Sequence, residues 1–241
     1  LEESEALHAR ARAFIEASAE GGAAEGFDAL ATAIARWQAA RCAPVGRLFE
    51  ARGVRPEAIA TAAEIPAVPT DAFRFARVAA HPPEADARVF RTSGTSLGPG
   101  ARGEHPLRTT ATYELAALTW GARMLWPDGL PLRALVLAPP LDDAPDSSLG
   151  FMLDLFAARL RGPASWHVRA RDGHAELDAE GFARACAEAR AAGEPAFVMG
   201  TAFAFVHLLE ALPPGAALLP EGSRAMQTGG FKGRSREVPP E

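Results

Sequence analysis

A chain of 241 residues suits one large domain or two small ones, and it can bury a substantial core. Hydrophobic content of 48% and charged content of 23% are ordinary for a soluble globular protein. The net charge of −5 argues against a protein that wraps nucleic-acid phosphates. No apolar run approaches the roughly 18 residues of a membrane helix, so membrane insertion is not expected either.

Leu1-Glu2-Glu3-Ser4-Glu5 is acidic and no apolar core follows, so no signal peptide is read. The missing Met implies that the numbering starts inside a longer chain. Cys42 and Cys186 are isolated cysteines, which make neither a metal site nor a disulfide framework, so a cytoplasmic location is expected. Lys232 is the one lysine among 25 basic residues.

Three helices open the chain. Leu7, Ala11, Phe14, Ile15 and Ala19 recur at helical spacing from Ser4 to Ala19, and Gly21-Gly22 ends the run. Phe27, Leu30, Ile34, Trp37 and Arg41 predict a second helix over Phe27 to Cys42. Pro44 starts a third, carrying Val45, Leu48 and Phe49, and Gly53 closes it. Cys42, at a helix end, reads as packing. Ile65-Pro66-Ala67-Val68-Pro69-Thr70 then takes an extended path, because prolines do not sit in a helix interior. Thr70 or Asp71 caps a short turn bearing Phe73 and Phe75, and this connector is expected to pin both aromatics to the core.

Arg88-Val89-Phe90 reads as the end of a short strand. Thr109 to Trp126 reads as a helix, regular from Tyr113 to Leu125, with Leu115, Leu118 and Ala122 inward. Between them lies Arg91-Thr92-Ser93-Gly94-Thr95-Ser96-Leu97-Gly98-Pro99-Gly100, with four hydroxyl side chains around Gly94. Strand, small-residue loop and helix together make an anion cradle. Glycine lets N–H groups turn toward a phosphate, hydroxyls add donors, and a helix N-terminus favours negative charge. A polar surface turn has the same composition, and both readings stand at this point. Two rival fingerprints fail. Gly98 to Gly103 matches G-x-G-x-x-G, but it does not follow a strand directly or open a helix at once. A Walker loop needs Gly-Lys-[Ser/Thr], and no lysine is there.

Pro127-Asp128-Gly129 predicts a turn, and Leu132 to Ala138 a buried parallel strand stopped by Pro139-Pro140. Asp142, Asp143, Asp146, Ser147 and Ser148 follow at that strand's carboxyl end, where open α/β sheets bind ligands. A magnesium site and a solvated loop capping the next helix both fit these residues. Leu149 to Arg161 predicts an amphipathic helix and Ser165 to Val168 a strand. Asp178 to Ala191 predicts a helix with Phe182, Ala185, Cys186 and Ala189 on one face. Ala196 to Met199 is a strand, and Gly200-Thr201 opens a helix over Phe203 to Leu212 whose His207 reads as packed. From Arg224 a strand runs into Gly229-Gly230, where the backbone can approach a ligand closely, followed by Phe231 and Lys232. Arginine fills every other cationic position, so a compact ammonium bonding a ligand explains Lys232; a chance surface lysine is the plain alternative. The elements place the chain in the α/β class. A helical N-terminal region with a proline-rich connector covers 1-85, and a parallel or mixed sheet flanked by helices covers 86-241.

Thr92-Ser93-Gly94-Thr95-Ser96-Leu97-Gly98-Pro99 resembles the phosphate loop of adenylate-forming enzymes, the acyl-CoA synthetase-like superfamily. More closely, the chain is similar to the acyl-protein synthetases of the LuxE type over roughly residues 64 to 238. Three further stretches carry the resemblance. Ile65 to Arg74 is similar to the segment before the loop. Phe197 to Glu210 is similar to the strand and helix that line the acyl pocket. Arg224 to Gly233 is similar to the strand whose Gly-Gly borders the adenine. The lysine that usually follows Gly-Pro is missing; Gly100, Ala101 and Arg102 stand there, with Arg102 or Arg108 as substitute charges.

The resemblance implies the large domain of such enzymes, incomplete, without the C-terminal domain. It implies ATP, with Mg2+ bound through the phosphates, at Thr92, Ser93, Gly94, Thr95, Ser96 and Gly98. The nucleotide and acyl pocket would be lined by Gly200, Thr201, Gly229, Gly230, Phe231 and Lys232. The implied reaction activates a carboxylic (fatty) acid as acyl-adenylate and passes it to a protein or CoA thiol, so a carboxylic acid substrate and an acyl-acceptor or reductase protein are expected. The catalytic Lys and acyl-accepting Cys of such ligases lie toward the C-terminus and have no counterpart before Glu241. A phenylacetate-type CoA ligase, and a non-catalytic nucleotide-binding or interaction module with a remnant phosphate loop, are the alternatives.

Overall fold

Apolar residues at helical spacing in the first fifty positions do form three helices in the computed structural model, which describes residues 2–22, 25–92, 102–171 and 174–229. These are α1 (Glu2–Ala19), α2 (Phe27–Arg41) and α3 (Ala43–Ala51), the last with Pro44 in its first turn. The chain divides into two compact units, 1–120 and 121–241. In the first, Ala35, Cys42, Val45, Phe49 and Ile59 form a core onto which Ile65 and Val68 of the connector pack. Arginine ties the following turns down: Arg36 donates to the carbonyls of Pro56 at 3.1 Å and Ile59 at 2.6 Å. Arg77 donates two hydrogen bonds to Asp86, at 2.8 and 2.6 Å, and His81 Nε2 lies 2.8 Å from the same carboxylate.

The connector ends in the short helix α4 (Ala72–Phe75), whose cap position is Asp71. Only one of its two aromatics is pinned. Phe73 stacks on His105 with centroids 4.2 Å apart, whereas Phe75 is 82% exposed, against expectation. Four helical residues make one turn, and one turn directs only one of the two rings inward.

Strand β1 (Arg88–Arg91) pairs antiparallel with β2 (Glu104–Leu107), in the register Arg88↔Leu107 to Arg91↔Glu104. The sequence concealed β2, because Glu and Pro are poor strand formers and Pro is tolerated only at edges. Its partner strand makes it extended, so the expected strand–loop–helix is a strand–loop–strand hairpin, and the helix α5 (Ala111–Leu125) follows β2.

The second unit is built on β3 (Leu132–Leu137), in which every residue but Arg133 is buried. After it come α6 (Ser148–Arg159), β4 (Arg161–Trp166), a hairpin of β5 (Val168–Arg171) and β6 (His174–Leu177), and α7 (Ala179–Ala192). The unit continues with β7 (Ala196–Thr201), α8 (Ala202–Ala211) and β8 (Arg224–Thr228). Four strands form one parallel sheet in the order β4-β3-β7-β8. The protein is therefore mixed α/β, with eight α-helices among the described residues. None of those helices is long and apolar enough to cross a membrane.

Parallel strands need crossovers, and right-handed crossovers decide which face each helix covers. The connection from β3 to β4 runs one way along the sheet; those from β4 to β7 and from β7 to β8 run the other. Right-handedness then puts α6 on one face and α7 with α8 on the other. The packing agrees. Phe182 and Cys186 of α7 and Leu208 of α8 cluster with Leu135, Leu137 and Val198. On the opposite face Trp126 sits edge-on to Phe156 of α6 at 4.9 Å and to Phe197 at 5.8 Å. Cys186 is a small core residue, and burial pushes its thiol pKa up.

Gly121 shows how tightly that aromatic face is filled. A Cβ there would stand 2.8 and 2.9 Å from ring atoms of Phe156 and 2.9 Å from Trp126. Gly to Ala inside a helix ordinarily stabilises by about 1 kcal/mol. Overpacking costs about 1–3 kcal/mol, so the clash should win. Gly121→Ala should thus lower the urea midpoint. A raised midpoint would show that the rings can move aside.

Candidate functional site

The strand order creates one distinctive place. From β3 the chain departs toward β4, and from β7 toward β8, so the connections diverge at the carboxyl ends of these two neighbouring strands. Such a switch point leaves a crevice, and open α/β sheets bind ligands there. Residues 138–147 leave β3 on one side of it, and Thr201 ends β7 on the other.

Each flanking helix begins with a hydroxyl cap. Ser147 Oγ accepts from Gly150 N at 2.9 Å, and Thr201 Oγ1 accepts from Ala204 N at 3.2 Å. A hydroxyl that accepts in a cap keeps its own hydrogen for donation, and the helix start favours an anion. Thr201 pairs with Thr228 in the β7–β8 register, which sets Gly229 beside it at the sheet's carboxyl edge. Gly229 has φ 77°, a left-handed conformation that suits glycine, and a Cβ there would meet nothing within 4 Å. Gly200 is different. Its Cβ would lie 2.5 Å from Leu137 Cβ and 2.7 Å from Leu137 O, so close strand packing explains this glycine.

The acidic loop after β3 is engaged in structure. Asp143 accepts from Ala170 N at 3.2 Å and lies 3.9 Å from Arg169, while Ser147 does the capping. Among the described residues no group of three or more His, Cys, Asp or Glu side chains could hold a metal ion.

His167 lies at the break between β4 and β5, and its sequence surroundings mark it only as part of a strand. The sequence signal was Ser165-x-His167, two polar residues on one strand face. His167 is 4% exposed, its ring stands edge-on to Phe182 at 5.3 Å, and Nε2 lies 2.8 Å from Ser165 Oγ. Nδ1 is buried and has no hydrogen-bond partner among the described residues. Burial pushes the pKa below its ordinary value; Asp178 opposes the shift and Arg184 reinforces it. His207 corrects an expectation: its side chain is 46% exposed, lies 3.6 Å from Glu210 and meets Phe203 edge-on, so it is not a packed histidine.

Beside α8 an apolar cleft of about 280 Å³ opens, lined by Val198, Phe205, Leu208, Ala217, Leu219 and Ala225 among others.

In the first unit, Thr92 and Gly103 close the base of the β1–β2 connection. Thr92 N donates to Gly103 O at 3.0 Å, and Gly103 N donates to Thr92 Oγ1 at 2.9 Å. Arg102 Nε donates to Thr92 O at 2.6 Å. A Cβ on Gly103 would touch Phe73 and Arg74 at 3.4 Å, so the proline-rich connector packs directly against this base. Arg108 donates to Glu5 and Ser4. Ser93, Gly94, Thr95, Ser96 and Gly98 lie outside the described residues, as do Gly230, Phe231 and Lys232. The structure thus brings Gly200, Thr201 and Gly229 together in the second unit and places Thr92 in the first.

Comparison with protein-family models, curated proteins and solved structures finds no match to this chain.

His167 predicts a pH dependence. Its folded pKa lies below the unfolded value near 6.5, so the unfolded chain takes the proton first as pH falls. The stability it contributes is complete above about pH 6.5 and is lost progressively below. Urea unfolding between pH 7.5 and 5.0 should show this slope, and His167→Gln should flatten it; an unchanged slope would assign it to other groups. Thr201→Ala should separately cost about 1 kcal/mol through the lost cap.

Proposed function

We infer that the protein binds a nucleotide and a carboxylic acid at the switch-point crevice and activates the acid as its acyl-adenylate for transfer to a thiol. The observation that carries this reading is the strand order β4-β3-β7-β8, which gathers Thr201 and Gly229, from two of the stretches that resemble adenylate-forming ligases, at one sheet edge. The donor set fits an anionic nucleotide. The Thr201 hydroxyl and the start of α8 suit phosphate oxygens, and the exposed backbone at Gly229 suits close approach by a flat base. ATP is the second substrate; attack of the carboxylate on its α-phosphorus expels pyrophosphate, with Mg2+ carried on the phosphates. The chain's contribution is positioning and electrostatic stabilisation.

The apolar cleft supports an acyl substrate. Val198, Phe205 and Leu208 belong to the strand–helix unit that resembles an acyl-pocket wall, and all three line the cleft. Its volume, about 280 Å³, is at the small end for ligand sites, so a chain only partly enclosed fits it. The acceptor thiol is that of a protein or of coenzyme A.

Pyrophosphate exchange against a panel of carboxylic acids tests the reading, and no exchange with any acid would favour the non-catalytic module. Ala225→Phe, which fills the cleft from the exposed edge strand, should cut kcat/KM for long-chain acids about tenfold or more and spare short ones. Lys232→Arg keeps the charge but replaces a compact ammonium with a flat guanidinium. If the ammonium bonds the ligand, kcat/KM should fall roughly ten- to a hundredfold with melting unchanged. Wild-type activity in Lys232→Arg would make the single lysine an accident of composition.

A further inference from the structure

Helix α1 is held in an unusual way. Its buried residue is a serine, Ser4, and Leu7, Phe14 and Ile15 are only half-buried. Beside the Phe14–Phe27 ring contact at 6.1 Å, a set of polar groups joins α1 to its neighbours. Glu5 accepts from Arg12 at 2.8 Å, within the helix, and from Arg108 at 2.8 Å, just past β2. Arg108 also donates to Ser4 Oγ at 3.3 Å. His8 Nδ1 lies 2.9 Å from Thr112 Oγ1, in the first turn of α5, and Arg12 reaches the same oxygen at 3.5 Å. At the other edge Glu3 accepts from Trp37 at 3.1 Å and from Arg41 at 3.0 Å.

We propose that α1 is a proton-operated latch: protonation of His8, beside Arg12 and Arg108, releases the helix from the start of α5. The charged and titratable groups facing His8 are Arg108, Glu5, Arg12 and His81. Three of the four are basic, and a new imidazolium adds a like charge to a partly buried site. Burial and Arg108 already push the His8 pKa down, so the closed helix disfavours the proton that the open helix accepts. Acid therefore drives opening. Glu5 does not blur the response. Its hydrogen bonds to Arg108 and Arg12 hold its pKa at about 2, so it stays ionised while His8 titrates. The latch responds as pH falls below about 6.5.

Amide hydrogen exchange on the full chain, corrected for intrinsic pH dependence, tests this at pH 7.5 and 5.0. Protection in α1 should fall with pH by up to about tenfold per unit, the limit for one proton. Protection in α3, in the same unit, should hold. His8→Gln should keep α1 closed across the range. A flat wild-type response overturns the proposal, and so does an equal slope in His8→Gln. Loss of α3 protection in step with α1 means unfolding of the whole unit and overturns it too. Should His8→Gln not fold, imidazole NMR of the wild type decides. His8 must titrate over the pH range in which α1 opens, and a His8 that titrates elsewhere ends the idea.

Discussion

Parallel pairing of β3 on both sides is the constraint from which the second unit follows. A strand buried on both faces has no polar face to offer water, and Leu132-Arg133-Ala134-Leu135-Val136-Leu137 supplies apolar residues at all positions but one. Arg133 is the exception, and it stands at the strand's amino end, where its guanidinium reaches Glu194 at 2.9 Å and Glu188 at 3.4 Å. With β4 and β7 parallel to β3 on either side, the chain must cross over, and it does so in opposite directions from the centre of the sheet. That reversal fixes the faces taken by α6, α7 and α8, and it makes the carboxyl ends of β3 and β7 the switch point. Core and candidate site thus have the same cause.

The first unit is cemented differently. Its small apolar core involves α2, α3 and the connector, and arginine does much of the rest. Arg36, Arg77 and Arg108 each bridge segments distant in sequence or join loops to carboxylates. A guanidinium offers five donors in a fixed plane and can satisfy several acceptors at once. Such ties are directional but partly solvated, so salt and pH reach them more readily than they reach Leu135 or Phe182.

Most of the elements could be read from sequence. Helical spacing located α1, α2, α3 and α7, and the apolar run located β3; in the structure Ser147, Asp178 and Thr201 cap their helices, because a short side-chain oxygen satisfies an early helical N–H. What escaped were elements defined by a partner. Glu104–Leu107 is a strand because β1 lies beside it, and β5 and β6 support each other as a hairpin. Local propensity carries no trace of that. Phe75 and His207 were placed inside by residue type, yet exposure is decided by which side of a short helix faces the core. Strand order was equally invisible, since every order of four apolar strands has the same periodicity, and with it went the position of the crevice.

Three glycines illustrate why a motif alone cannot locate a ligand. Gly103 ends a formal G-x-G-x-x-G match, and Gly200 and Gly229 lie in stretches that resemble a ligand pocket. At Gly103 the space a side chain would need is bordered by Phe73, Arg74 and Thr92, and at Gly200 it is filled by Leu137. Packing accounts for Gly200, whereas a Cβ at Gly103 would make only ordinary contacts. Gly229 alone of the three combines a left-handed φ with open space, so its requirement is conformational and its exposed backbone remains accessible. It stands beside Thr201, whose hydroxyl is already fixed in orientation by its cap to Ala204. A fixed hydroxyl and an accessible backbone at adjoining strand ends form a preorganised polar edge, and preorganisation makes such groups effective toward a charged ligand.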